Sequence, residues 1–237
     1  MSEERIEAIQ TRWSLVRSAH MEGRPESIAD MRRMLVLRYA PAVKRYVGAI
    51  VRDNDDADEL AQDVMLRLMR GDFAGADPSK GRFRDLLKTA IRNMIRNHWE
   101  KKNRRRTTDA GLDLVQDHSE QEQESDWTAA WQRSVLDHTW ARMLAEEGGQ
   151  PGPAYLVLKL RTEFPEASSD ELADRLSKQL RSEIRPDNCR QMLRRARAKF
   201  AKHLLDEVRA GLDDESDSRV QEELASLGLL PWVRDLV

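Results

Sequence analysis

Apolar residues recur along this chain at intervals of three and four, the period of one helix face. Leu35, Tyr39, Val43, Tyr46, Val47 and Ile50 form one stripe. Ala57, Leu60, Ala61, Val64 and Leu68 form a second, and Phe83, Leu87, Ala90, Ile91, Met94, Ile95 and His98 a third. Composition points the same way, because 27 Leu and 24 Ala outnumber 13 Val, 7 Ile and 7 Thr. Branching at Cβ costs rotamer freedom in a helix and suits a strand, so this balance favours helix. The fold class predicted is all-α, with two helical domains joined by a flexible acidic linker and a helix-turn-helix in the second.

Several function classes drop out early. A single cysteine, Cys189, excludes an internal disulfide framework and a cysteine-cluster metal site. The five histidines show no ligand spacing. The opening MSEERIEAIQTRW has no apolar signal core, and no apolar run approaches the ~20 residues that cross a bilayer. Gly-rich phosphate loops and the GxSxG and HExxH patterns are missing from the sequence. The expectation is a soluble, cytoplasmic, non-enzymatic protein with no catalytic residues, no metal, no cofactor and no membrane partner.

Net charge is uninformative, since 40 Lys and Arg nearly cancel 42 Asp and Glu. Local charge is not. Residues 53–63 carry six acids and no base; residues 82–106 carry ten bases against Asp85 and Glu100. Residues 107–126 then carry seven acids and neither Lys nor Arg, and 190–202 carry six bases and no acid. Two basic segments separated by an acidic, apolar-poor stretch read as two nucleic-acid-facing domains on a tether. The arginine excess, 31 against 9 lysines, fits that reading because a guanidinium fork matches phosphate and guanine edges. The domain plan is an N-terminal extension (1–30), a first helical domain (31–106), an acidic linker (107–126), a helix-turn-helix domain (127–210) and a tail (211–237).

Local signals refine the plan. Pro41 predicts a kink or restart in the first helix, Asp55 or Asp56 can cap the second, and Gly71 ends it. Trp127 and Trp131 read as core rather than as base-stacking residues. Ser168-Ser169-Asp170-Glu171 starts a helix over about 169–181, and Pro186-Asp187 starts a basic one whose apolar stripe includes Cys189. A short helix, a connection and a basic helix make the outline of a helix-turn-helix. The tail stripe of Val220, Leu224 and Leu227 predicts a short helix docked on another surface, serving either as a structural cap or as a restraint on DNA binding.

The segments YAPAVKRYV, DADELAQDVMLRLM, DPSKGRFRDLLKTAIRNMIRNHWEKKNRRR, ELADRL and RPDNCRQMLRRARAKF, in that order, resemble a bacterial sigma factor of the extracytoplasmic-function type, in the sigma-70 family. The resemblance spans about 30–106 and 153–205. It implies binding to core RNA polymerase (the β′ clamp helices and the β flap) and to promoter DNA, with an anti-sigma factor as a conceivable regulator. By position, Asp58, Glu59, Gln62 and Asp63 fall on the polymerase-binding helix. Lys80, Arg82, Arg84, Lys88, Arg92, Asn93, Arg96 and Asn97 fall on the −10 DNA surface, and the loop from Gly71 to Gly81 falls where the family captures a flipped base. Asp187, Asn188, Arg190, Gln191, Arg194, Arg195 and Arg197 fall on the −35 recognition helix. One departure is SKQLRSEIRP after Leu176, longer than the family's turn between the two motif helices. Two rival readings stand beside this one: a stand-alone helix-turn-helix regulator that binds duplex DNA as a dimer, and a helical protein–protein adaptor without DNA affinity.

Overall fold

A computed structural model describes residues 25–73, 82–106, 119–212 and 216–233. Its elements are α1 (Pro25–Ile50), α2 (Asn54–Arg70), α3 (Phe83–Arg106), α4 (Glu120–Glu146), α5 (Pro153–Glu163), α6 (Ser169–Leu180), α7 (Pro186–Arg209), α8 (Asp217–Ser226) and a 3-10 turn (Leu230–Trp232). No strand occurs among the described residues, so the chain is all-α as expected. It forms two compact units. One runs up to Ser134 and includes Ala210–Arg219; the other comprises Val135–Arg209 and Val220–Val237.

The first unit is built on α1, whose stripe of Leu35, Tyr39, Val43, Tyr46 and Val47 is fully buried. Against it lie Leu60, Ala61, Val64 and Leu68 of α2 and Phe83, Leu87, Ile91 and Ile95 of α3, all buried. Helix α1 runs unbroken through Pro41 instead of restarting there. The carbonyl that proline leaves without an intrahelical donor belongs to Leu37, which is 64% exposed and on the solvent side. The cap of α2 is Asp53, earlier than either expected residue; its carboxylate accepts from the backbone N–H groups of Asp55 and Asp56, each at 3.1 Å. Gly71 closes the helix in the left-handed region, with φ 86°, where a side chain would be strained.

Helix α4 begins inside the segment expected to be linker. Ser119 and Glu122 cap it reciprocally: the Ser119 N–H donates to the Glu122 carboxylate at 2.9 Å, and the Glu122 N–H to the Ser119 hydroxyl at 3.3 Å. Gln and Glu are good helix formers, so EQEQE needs no apolar residue to be helical. The expected domain boundary at 127 therefore lies within this helix. Trp127 and Trp131 are core residues, but of the first unit: Trp127 meets Tyr46 edge-on at 5.0 Å, and Trp131 packs on Tyr39 at 5.5 Å. The aromatic side chains they need are on α1. The expected linker residues 107–118 and the N-terminal residues 1–24 lie outside the described residues.

In the second unit α5, α6 and α7 pack on one another. Their buried residues are Val157, Leu158 and Leu160; Leu172, Ala173 and Leu176; and Cys189, Leu193, Ala196, Phe200 and Leu204. The later part of α4 adds Trp140, whose ring lies 5.2 Å from Tyr155 and 4.9 Å from Phe200. Gly152 leads α5 without a side-chain cap. Glu147 substitutes, its carboxylate accepting from the backbone N–H groups of Gly152 (3.0 Å), Ala154 (2.9 Å) and Tyr155 (3.1 Å). The Ser168–Glu171 capping box starts α6 as expected. The tail helix α8 also forms, and Val220, Leu224, Leu227, Leu229 and Val233 are buried.

Candidate nucleic-acid interface

Helix α2 buries one side in the first unit and leaves Asp58, Glu59, Gln62 and Asp63 exposed. Leu66 and Met69 continue this outer stripe and are also exposed, at 47% and 40%. Sequence reasoning missed both. Their signal was an apolar side chain lying off the buried stripe, and an exposed apolar pair with Asp63 on one side and Arg67 and Arg70 on the other has the character of a protein-contact surface. Below it, Asp56 ties α2 to α3 by an ion pair with Lys102, and His98 Nε2 lies 3.3 Å from the same carboxylate. The Lys102 hydrogen bond is the main cause that holds the Asp56 carboxyl below its ordinary range, against a smaller opposing effect of burial.

The basic residues of α3 divide into two rows. Arg84, Lys88 and Arg92, at i, i+4 and i+8, are half-buried, whereas Asn93, Arg96 and Asn97 are exposed. The side chains of Arg84 and Lys88 are only 12% and 14% exposed. The start of α4 covers the first row: Lys88 Nζ donates to both oxygens of Glu124 at 2.9 and 2.8 Å, and Arg92 Nε donates to Gln123 Oε1 at 2.8 Å. In the open row, Arg96 donates to Asn93 Oδ1 at 3.0 Å. Gln123 and Glu124 were expected to be linker, so these contacts were not foreseen. Arg82 is half-buried beside Phe83; Lys80 and residues 74–81 of the loop lie outside the described residues.

Tyr46 lies beneath this contact. Its ring is fully buried, and the hydroxyl has no protein hydrogen-bond partner. Burial drives its pKa up to about 12, with Arg92 opposing the rise and Glu124 and Asp126 adding to it.

Helix α7 presents a broader and less covered surface. Asp187, Asn188, Arg190, Gln191, Arg194, Arg195 and Arg197 are all exposed, because the buried stripe through Cys189, Leu193, Ala196 and Phe200 turns the opposite side inward. Arg190 pairs with Asp187 one turn earlier. Farther along, Glu146 of α4 engages Lys199 at 3.5 Å and His203 at 2.9 Å. The His203 hydrogen bond leads the causes that lower the Glu146 pKa. Cys189 is buried, and desolvation raises its thiol pKa, so it behaves as a small apolar residue.

The long connection between α6 and α7 is partly helical. Residues Ser177 to Leu180 extend α6, which leaves 181–185 as the turn. Arg181 takes the left-handed conformation, φ 51°. The Ser177 hydroxyl fastens the turn by donating to the Ala173 carbonyl (2.7 Å) and accepting from the Ile184 N–H (2.9 Å).

Among the described residues, no helix is long and apolar enough to cross a membrane. No curated protein and no solved structure matches the chain. A family model does match: residues 35–105, which run from the first buried leucine of α1 nearly to the end of α3, fit sigma-70 region 2. The part of the chain formed by α1, α2 and α3 is therefore similar to sigma-70 region 2.

Proposed function

We propose that this protein is a sigma factor of the extracytoplasmic-function type, which binds core RNA polymerase and directs it to promoters. The region 2 match over 35–105 carries the proposal. In this reading the outer stripe of α2 (Asp58, Glu59, Gln62 and Asp63, with Leu66 and Met69) docks on the β′ clamp helices. Helix α3 and the loop from Gly71 to Gly81 bind the −10 element: Lys80, Arg82, Arg84, Lys88, Arg92 and Arg96 meet phosphates, while Asn93 and Asn97 reach base edges. Phosphate contacts supply salt-dependent affinity. A flipped base held in the loop offsets the few kcal/mol of unstacking that strand opening costs. The RNA-forming chemistry remains the polymerase's, so the subunit needs no catalytic group of its own.

The second unit is assigned to the −35 element. The exposed arc of α7 would lie in the major groove, with Arg190, Gln191 and Arg194 at base edges and the neighbouring Arg195 and Arg197 on phosphates. The β flap would contact this unit, away from that arc. A pull-down with core polymerase, followed by transcription from candidate promoters, tests the whole reading. Glu59→Lys combined with Asp63→Lys should weaken polymerase capture while helicity is unchanged. Undiminished capture would remove the α2 stripe from the proposal, and failure of the wild-type chain to bind core polymerase would overturn it.

A further inference from the structure

The basic row of α3 that is half-buried is covered by an acidic piece of the same chain. Glu124 grips Lys88 with both carboxylate oxygens, and Gln123 holds Arg92 through its amide oxygen. Two acceptor groups thus stand before two cationic side chains in the way that phosphate oxygens would. The segment bearing them has seven acids and neither Lys nor Arg between 107 and 126, so it would repel a nucleic-acid strand while it stayed in place. Its position is defined at both ends. The Ser119–Glu122 capping box fixes the first turn, and the fully buried Trp127 and Trp131 anchor the helix next to it. Between these points Gln121, Glu122, Glu124 and Ser125 are exposed, so few apolar contacts hold the first two turns down. They can open without disturbing the tryptophans.

We propose that residues Glu120–Asp126 of α4 are an intramolecular phosphate mimic, a cover on α3 that must be displaced before Lys88 and Arg92 can bind DNA. The inference rests on the reading of α3 as a DNA-binding helix and adds an autoinhibitory contact to it. Asn93, Arg96 and Asn97 remain exposed with the cover in place, so a strand first engages this open row. It then competes with Glu124 and Gln123 for the other. Binding is graded accordingly: weak while the cover stays, tighter and more salt-sensitive once it leaves.

Fluorescence anisotropy with a labelled single-stranded DNA oligonucleotide and the full chain tests this across a salt series. Gln123→Ala with Glu124→Ala alters one half-buried and one exposed side chain and should tighten binding roughly twofold to fivefold, the worth of an ion pair of this kind. It should also steepen the slope of log K against log salt by about 1.4, as two single-strand phosphate contacts are gained. Adding Lys88→Ala and Arg92→Ala should abolish both gains. If Lys88→Ala with Arg92→Ala weakens binding but Gln123→Ala with Glu124→Ala changes neither affinity nor slope, the cover is overturned and the DNA face stands. If removing Lys88 and Arg92 has no effect even in the uncovered chain, or if no variant binds the oligonucleotide, the DNA face falls and the cover with it.

Discussion

Replacing Tyr46 with Phe should stabilise the first unit, which is unusual for a fully buried tyrosine. The hydroxyl has no protein hydrogen-bond partner, and leaving a buried polar group unsatisfied costs about 1–3 kcal/mol. Phenylalanine retains the ring and its edge-on contact with Trp127 at 5.0 Å, so the variant sheds that cost and creates little cavity. The gain should not vary with pH near neutrality, where the phenol is protonated both folded and unfolded. At high pH the two proteins part. Burial raises the folded pKa from 10.0 to about 12, so the unfolded chain loses its proton first. Wild-type stability should fall as pH rises from about 10 to 12, by about 1.4 kcal/mol per unit and up to about 2.7 kcal/mol in all. Tyr46→Phe removes this part of the alkaline loss. Urea unfolding at pH 7 and at several points up to pH 11, followed by tryptophan emission and circular dichroism, gives the gain at neutrality and the first ~1.4 kcal/mol of the alkaline loss. A variant less stable than wild type by 1 kcal/mol or more, with the difference constant across pH, would refute the argument and show that the hydroxyl has a good partner.

Other perturbations test other joints. Glu147→Ala removes the acceptor shared by three N–H groups at the start of α5 and should cost about 0.5–2 kcal/mol in the same unfolding assay, the range for a lost helix cap. Truncation after Gly211 strips five buried apolar side chains from the second unit; at ~1.5–3 kcal/mol each this matches the whole stability of a typical domain. That unit should lose its cooperative melting transition, and an unchanged transition would show that the tail is not structural. Cys189, buried and with a raised thiol pKa, should react with a thiol reagent at the rate of unfolding, and immediate reaction in native buffer would contradict the packing.

Helix existence was legible wherever a stripe was apolar on one side only. The periods over α1, α2, α3 and α7 gave the right elements, as did Gly71 and the Ser168 box. The misses have specific causes. Asp53, Asp55 and Asp56 are equally able caps by chemistry, and only backbone geometry selects the first. Pro41 was expected to interrupt α1, but its missing N–H costs little where the orphaned carbonyl faces water. The start of α4 was missed because its polar composition resembled a tether, although Glu and Gln favour helix nearly as well as leucine. The destination of Trp127 and Trp131 was beyond any local rule. It depends on where α1 places Tyr39 and Tyr46, far away in sequence.

The two basic helices show what a charge pattern can and cannot disclose. Both α3 and α7 read from sequence as one-signed surfaces, and in both the residues named do lie outside the apolar stripe. What sequence periodicity leaves open is whether another part of the chain occupies such a surface. For α3 the occupant comes from the acidic segment that follows its ten bases in sequence, with Glu124 on Lys88 and Gln123 on Arg92. For α7 the nearest acids in sequence, Asp187 and Asp206, are in the helix itself; the acidic tail follows it, and the tail's apolar residues decide where it goes. Trp232 packs at 6.0 Å from Phe200, on the stripe side of α7 and beyond Arg190, Gln191 and Arg194. Those three remain exposed. Charge complementarity thus governs the cover on α3, where few apolar contacts compete, while hydrophobic burial governs the tail and leaves the basic arc of α7 open to solvent.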